Sequence, residues 1–193
     1  MTQQAETREG AHDGERTGIV PVDQLRTAGA EAFPGALAAK ALYPDSQFEV
    51  VLVRGPNSRN DFHVNPYDEL FVQLEGTIRV DTREPGAGLR HNLVHEGELF
   101  MVPAGVPHSP LRPADTWGLV VEIRRQPGDT EAVEWYCDRC DALIERVTME
   151  SSEMIGSLMP LLGAFQASEE RRTCRSCGEV LPKPGPFVLD GTA

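Results

Sequence analysis

The chain has 193 residues, 40% of them hydrophobic and 25% charged, and its 30 acidic against 18 basic side chains give a formal net charge of −12. This is enough chain for one sizeable core, and its acidity speaks against nucleic acid or an anionic membrane as a partner. No apolar run reaches the length of a membrane span, and the start does not read as a signal peptide.

Residues 1–18 are polar and glycine-containing, and are expected to form a disordered tail that carries His12. A barrel unit with an N-terminal lead-in is expected over residues 19–130. The lead-in contains a short helix near Val22 to Ala28. From residue 47 the texture becomes β-rich. QFEVVLVRG reads as a strand, LFVQLEGTIRVDTRE as a hairpin around Glu75-Gly76, HNLVHEGELFMVPAG as two strands around Glu96-Gly97, and WGLVVEIRRQ as a further strand. Short strands at close, regular spacing argue for a mainly β, antiparallel barrel or jelly roll. EWYCDRCDALIERVTM opens a different unit, a C-terminal extension over 131–193. Within it SSEMIGSLMPLLGAFQASEERRTC reads as helical, with a break at Met159-Pro160. Residues 182–193 are rich in Pro and Gly and read as extended. Met149, Met154 and Met159 have helical spacing and are expected to cover the barrel or a dimer partner. Trp117, Trp135 and Tyr136 read as packing residues.

All four cysteines fall in two C-x2-C pairs, Cys137 with Cys140 and Cys174 with Cys177. None is left over for a disulfide framework, which points to a reducing, cytoplasmic setting. Four thiolates suit a structural Zn or a rubredoxin-type Fe, with every position filled by protein and none open for chemistry. Gly178 allows the tight turn after the last cysteine.

A second constellation lies in the β core. Gly55, Asp61, His63, Glu69 and Gly76 are followed by Gly97, Pro103, Gly105 and His108. This resembles the two-part signature of the cupin superfamily, G-x5-H-x-H-x3,4-E-x6-G and G-x5-P-x-G-x2-H. The second half matches throughout. The first half departs at Asp61, where the first histidine usually stands, and in a longer gap before Glu69. In a small barrel, inward side chains from several strands converge. Two imidazoles and a carboxylate from His63, Glu69 and His108 form the facial arrangement that suits Fe(II) and leaves positions open for substrate and O2. Asp61 reads as a fourth ligand or, in preference, as a supporting group that orients a neighbour. Pro66 breaks the strand and turns Glu69 back toward His63. His91 and His95 share one face, read as the outer one, with no functional role. Arg59, four residues before His63, and Arg112, four after His108, suit a substrate carboxylate. Glu122 alternates with Val121 and so can point inward as a proton acceptor.

Around these residues the chain resembles the 3-hydroxyanthranilate 3,4-dioxygenase family. The resemblance rests on GPNSRNDFH, DELFVQLEG, GELFMVPAGVPHSPLRP, GLVVE, EWYCDRCDALIE and RTCRSCGEVLPKP, and covers about residues 47–184. It implies a cupin double-stranded β-helix with a small C-terminal helical segment that carries the four-cysteine site. It implies Fe(II) on His63, Glu69 and His108, with the substrate chelating iron through its phenolic oxygen and amine. Arg59 and Arg112 would clamp the substrate carboxylate, and Glu122 would take a proton. The implied product is 2-amino-3-carboxymuconate semialdehyde, which cyclises to quinolinate on the tryptophan–kynurenine route to NAD. A homodimer is also implied.

The sequence departs from the family at Ala39, where an asparagine is usual, and at Val72, where an aromatic is usual. These departures raise the alternative of a ring-substituted 3-hydroxyanthranilate in secondary metabolism. A third possibility is a non-catalytic cupin that binds small aromatic carboxylates.

Overall fold

The computed structural model describes residues 18–27 and 39–189. Most of the expected tail, His12 and Ala28 lie outside them. The lead-in helix α1 spans Val22–Thr27. The strands that follow are β1 (Ala39–Ala41), β2 (Phe48–Arg54), β3 (Phe62–Val64), β4 (Glu69–Glu75), β5 (Ile78–Glu84), β6 (Gly88–Val94), β7 (Leu99–Val102), β8 (His108–Leu111), β9 (Trp117–Ile123), β10 (Thr130–Tyr136) and β11 (Leu143–Glu150). Two helices close the chain, α2 (Ser151–Ala167) and α3 (Glu169–Arg172).

The strands form two antiparallel sheets, ordered β1-β2-β9-β4-β7 and β11-β10-β3-β8-β5-β6. Strands β2 to β9 pass repeatedly from one sheet to the other, which is the jelly-roll connectivity of a double-stranded β-helix. Alternation along each strand places one face in the interior. Phe71, Val102 and Val120 of one sheet meet Ile78, Val80 and Val94 of the other in a buried core.

The expected hairpin around Glu75-Gly76 is not one. Strand β4 pairs with β7 and β9, while β5 pairs with β6 and β8. Gly76, at φ 71°, turns the chain over the end of the sandwich instead of back beside itself. A glycine flanked by two alternating strands looks the same locally in either case.

Strand β10 runs across residue 130 and pairs with β3, so the sheet that carries His63 continues into the C-terminal segment. Met149 lies in β11 rather than in a helix. Helix α2 passes through Pro160 without the expected break and ends at Ala167. A proline ring removes one intrahelical hydrogen bond, and here the helix tolerates that loss because its apolar side is anchored. Trp135 stacks on Phe165 with ring centroids 4.0 Å apart, and Val133 and Leu181 complete that second core. Leu158, Leu161 and Leu162 of α2 pack against it. From Leu181 to Leu189 the chain has no regular secondary structure, and Phe187 donates its backbone N–H to Asn57 O at 2.9 Å.

Candidate active site

The connection through Pro66 carries the chain from β3 in one sheet to β4 in the other. Asn65 shapes this turn by accepting from the Tyr67 amide at 3.0 Å. His63 and Glu69 therefore face each other across the interior. His108 is the direct cross-strand partner of His63, so both imidazoles point the same way. Ligand atoms of His63, Glu69 and His108 all lie within 4.8 Å of one another. His108 Nε2 is 2.9 Å from Glu69 Oε2, and His63 Nδ1 is 4.0 Å from it. Two imidazole nitrogens and a carboxylate, drawn together in a buried place, are a donor set that fits a divalent cation.

Two other signature glycines serve this geometry. A Cβ on Gly55 would fall 1.8 Å from Pro113 O, so only glycine lets these two loops meet. Gly105, at φ 77°, donates its N–H to Asn65 O at 2.8 Å and closes the loop that leads into His108.

A row of three carboxylates crosses the opposite sheet. Glu49 pairs with Glu122, and Glu122 with Glu69. Like charges in such a row repel. Glu69 is nevertheless held below the usual carboxylate range: burial pushes it up, but His108 and His63 outweigh that. The same Glu69 charge raises His108, against the effect of its burial. Among the described residues, no imidazole acts on Glu122. Burial first, and then the charge of Glu69, push its carboxyl up to about 8, with Arg125 pulling the other way.

A cavity of about 570 Å³ opens onto this row, lined among others by Val51, Arg59, His63, Glu122, Arg125 and Glu131. Glu69, His108 and Arg112 are buried and do not line it. Arg59 donates to Asp61 Oδ2 at 2.6 Å. Asp61, itself buried, thus steadies an arginine and stands outside the His63–Glu69–His108 group. Among the described residues, the Arg112 guanidinium has one side-chain acceptor, the distant Gln73 Oε1 at 3.5 Å. Burial lowers its pKa to about 10, although Glu69 pulls it up. A buried cation so weakly partnered favours an incoming anion.

Val72 lies on the half-buried face of β4, whereas Glu69, Phe71 and Gln73 are buried on the other face. The Val72 departure is therefore on the far side of the strand from Glu69. Ala39 is half-buried at the edge of the other side of the sheet, opposite Val53. His91 is half-exposed and its Nδ1 lies 2.6 Å from Asp81 Oδ1, away from the site.

Sequence reasoning missed Arg125 and Glu131. Glu131 Oε2 is 2.5 Å from His63 Nε2, and Arg125 holds both Glu131 and Glu122. TEAVEWY does not alternate, since five successive residues of β10 are buried, so periodicity gave no signal for Glu131.

The sequence profile of the 3-hydroxyanthranilic acid dioxygenase family matches residues 20–166. The chain belongs to this family. It is 42% identical over 142 residues to the 3-hydroxyanthranilate 3,4-dioxygenase of Paraburkholderia phytofirmans, covering 73% of this chain and 81% of that protein. With the enzyme of the same name from Jannaschia sp. the identity is 41% over 148 residues, covering 76% and 82%. The Bacillus thuringiensis relative, also so named, is 38% identical over 144 residues, covering 75% and 80%. A cupin-2 domain containing protein from Shewanella frigidimarina aligns over 55% of this chain and 95% of its own, at 18% identity and a TM-score of 0.45.

Away from the cavity, the four cysteines form a second group. Cys137 Sγ is 3.6 Å from Cys177 Sγ, and Cys140 Sγ is 3.6 Å from Cys174 Sγ. A tetrahedron with metal–sulfur bonds of about 2.3 Å has edges of about 3.8 Å, so the four thiols fit a Zn-sized ion. Each C-x2-C pair closes in the same way. The residue after the second cysteine, Asp141 or Gly178, takes positive φ and donates its N–H to the carbonyl of the first cysteine at 2.9 Å. Among the described residues no helix is long and apolar enough to cross a membrane.

Proposed function

We propose that this family member is a ring-cleaving dioxygenase that converts 3-hydroxyanthranilate and O2 to 2-amino-3-carboxymuconate semialdehyde, the quinolinate precursor of tryptophan breakdown. The observation that carries this reading is the buried Arg112, near enough to feel the charge of Glu69 in the His63–Glu69–His108 donor set, with one distant side-chain acceptor among the described residues. It supplies a place for a carboxylate next to a place for a metal. Fe(II) is the ion such a donor set suits, and when bound it supplies the redox chemistry that O2 needs.

The chain's own residues do the rest. Arg112 binds the substrate carboxylate. Arg59, steadied by Asp61, reaches it from the cavity wall. Together they orient the ring so that its hydroxyl and amine face the metal ligands. Glu122 takes the phenolic proton, and a carboxyl that exchanges its proton near neutral pH suits that role. The four cysteines hold a structural Zn or Fe. The same reading includes a cytoplasmic homodimer, for which exposed Leu93, Leu99 and Met101 offer apolar surface.

A ring-substituted substrate is the second reading, now motivated by Ala39 alone. The direct test is anaerobic reconstitution with Fe(II), followed by 3-hydroxyanthranilate and air. O2 uptake matched one-to-one by the near-ultraviolet band of the semialdehyde is expected. Binding without uptake would overturn the assignment and favour substituted analogues or a binding-only cupin.

A further inference from the structure

The two histidines of the site are held from behind by different groups. His108 Nδ1 donates to a backbone oxygen, Val106 O, at 3.0 Å, which leaves Nε2 toward Glu69. The backbone there is set by the fold. Among the described residues, His63 has no such carbonyl partner. Its Nε2 donates to the Glu131 carboxylate at 2.5 Å, which leaves Nδ1 toward Glu69. Glu131 is 2% exposed, and a buried carboxylate persists only where its charge is matched.

Arg125 provides the match in a fork. Its Nε donates to Glu131 Oε1 at 2.8 Å and its Nη2 to Oε2 at 3.2 Å. The remaining nitrogen, Nη1, donates to Glu122 and lies 3.4 Å from Glu49 Oε2. One planar guanidinium thus ties the partner of His63 to the carboxylate row on the other sheet. We propose that Glu131 and Arg125 form a positioning unit: Glu131 sets the ring orientation of His63 toward the metal, and Arg125 fixes Glu131 and Glu122 relative to each other. This rests on the proposed metal site and adds to it. A carboxylate behind a ligating imidazole selects the tautomer and raises the ligand's basicity. A lysine in place of Arg125 would carry the charge but could not make the fork.

The test is an anaerobic Fe(II) titration of wild type, Glu131→Ala, Glu131→Gln and Arg125→Lys, each with the cysteine site already filled with Zn(II). The readout is the electron paramagnetic resonance signal of the nitrosyl adduct. Glu131→Ala is expected to weaken Fe(II) binding about 10- to 100-fold and to change the signal's line shape. Glu131→Gln, whose carbonyl still accepts from His63, should recover part of the affinity, and Arg125→Lys should lose part of it. Wild-type affinity and line shape in a folded Glu131→Ala protein would overturn the role of Glu131. If that variant does not fold, the same result in Glu131→Gln would do so. Wild-type behaviour of Arg125→Lys would remove Arg125 from the unit. A wild type that gives no nitrosyl signal would instead sink the metal site itself.

Discussion

At the scale of single residues, burial works against the charge of both Arg112 and Glu122. Arg112 keeps a cation in the interior with one distant side-chain acceptor among the described residues. Such a group serves binding at the expense of stability. Arg112→Met is expected to lower kcat/KM about 10- to 100-fold, mainly through KM, as loss of a charge-assisted hydrogen bond of about 1.5–3 kcal/mol requires. Steady-state kinetics checks this, and the same variant should melt at a higher temperature without substrate. Glu122 gives a pH signature. Its ordinary value of 4.5 is raised to about 8 in the folded protein. Below the ordinary value both folded and unfolded chains hold the proton. Between the two values only the folded chain does, so stability falls as pH rises through this window. Metal-free wild type is expected to lose melting temperature as pH rises from about 4.5 to about 8, and Glu122→Gln to make that slope shallower in thermal scans. Much of the site could be read from the residues themselves. His63, Glu69 and His108 sit at spacings that barrel geometry imposes, and the arginines lie four positions from the two histidines. Glu131 could not be paired with His63, because 68 positions separate them and no local pattern marks the contact.

At the scale of elements, periodicity located most strands but not their partners. The run through Glu75-Gly76 looks like a hairpin, yet its two strands belong to opposite sheets. Pairing is decided by which inner faces meet, and that is a property of the assembled sandwich. The short strands β3 and β8 escape notice because three or four residues carry no clear alternation. Pro160 misled in the opposite direction. Local chemistry calls for a break, but the apolar contacts of α2 with β10 hold the helix together. Relieving that conflict is expected to stabilise the protein. Pro160→Ala should raise its unfolding free energy by about 1–3 kcal/mol in urea titration, with activity kept.

At the scale of the whole molecule, the sulfur site clamps the end of the chain to the sheet. Cys137 directly follows β10, while Cys174 and Cys177 follow α3. The loop that this clamp closes holds β11, α2 and α3. Removing the metal from the cysteines should raise hydrogen exchange across α2 and α3, while β2, β4 and β9 stay protected. Mass spectrometry after exchange, with and without a thiol-selective chelator, separates the two regions.

Strand β10 has a part in both centres. Glu131 near its start touches His63, and Cys137 begins the first knuckle just beyond its end. The strand therefore acts as a ruler between them. One residue inserted or deleted within it would turn every later side chain to the opposite face. The two candidate metal sites are thus bound into a single reading frame of structure. Over evolutionary time the exposed tip between β5 and β6 is free to lengthen or shorten, whereas residues 132–136 can change in kind but not in number.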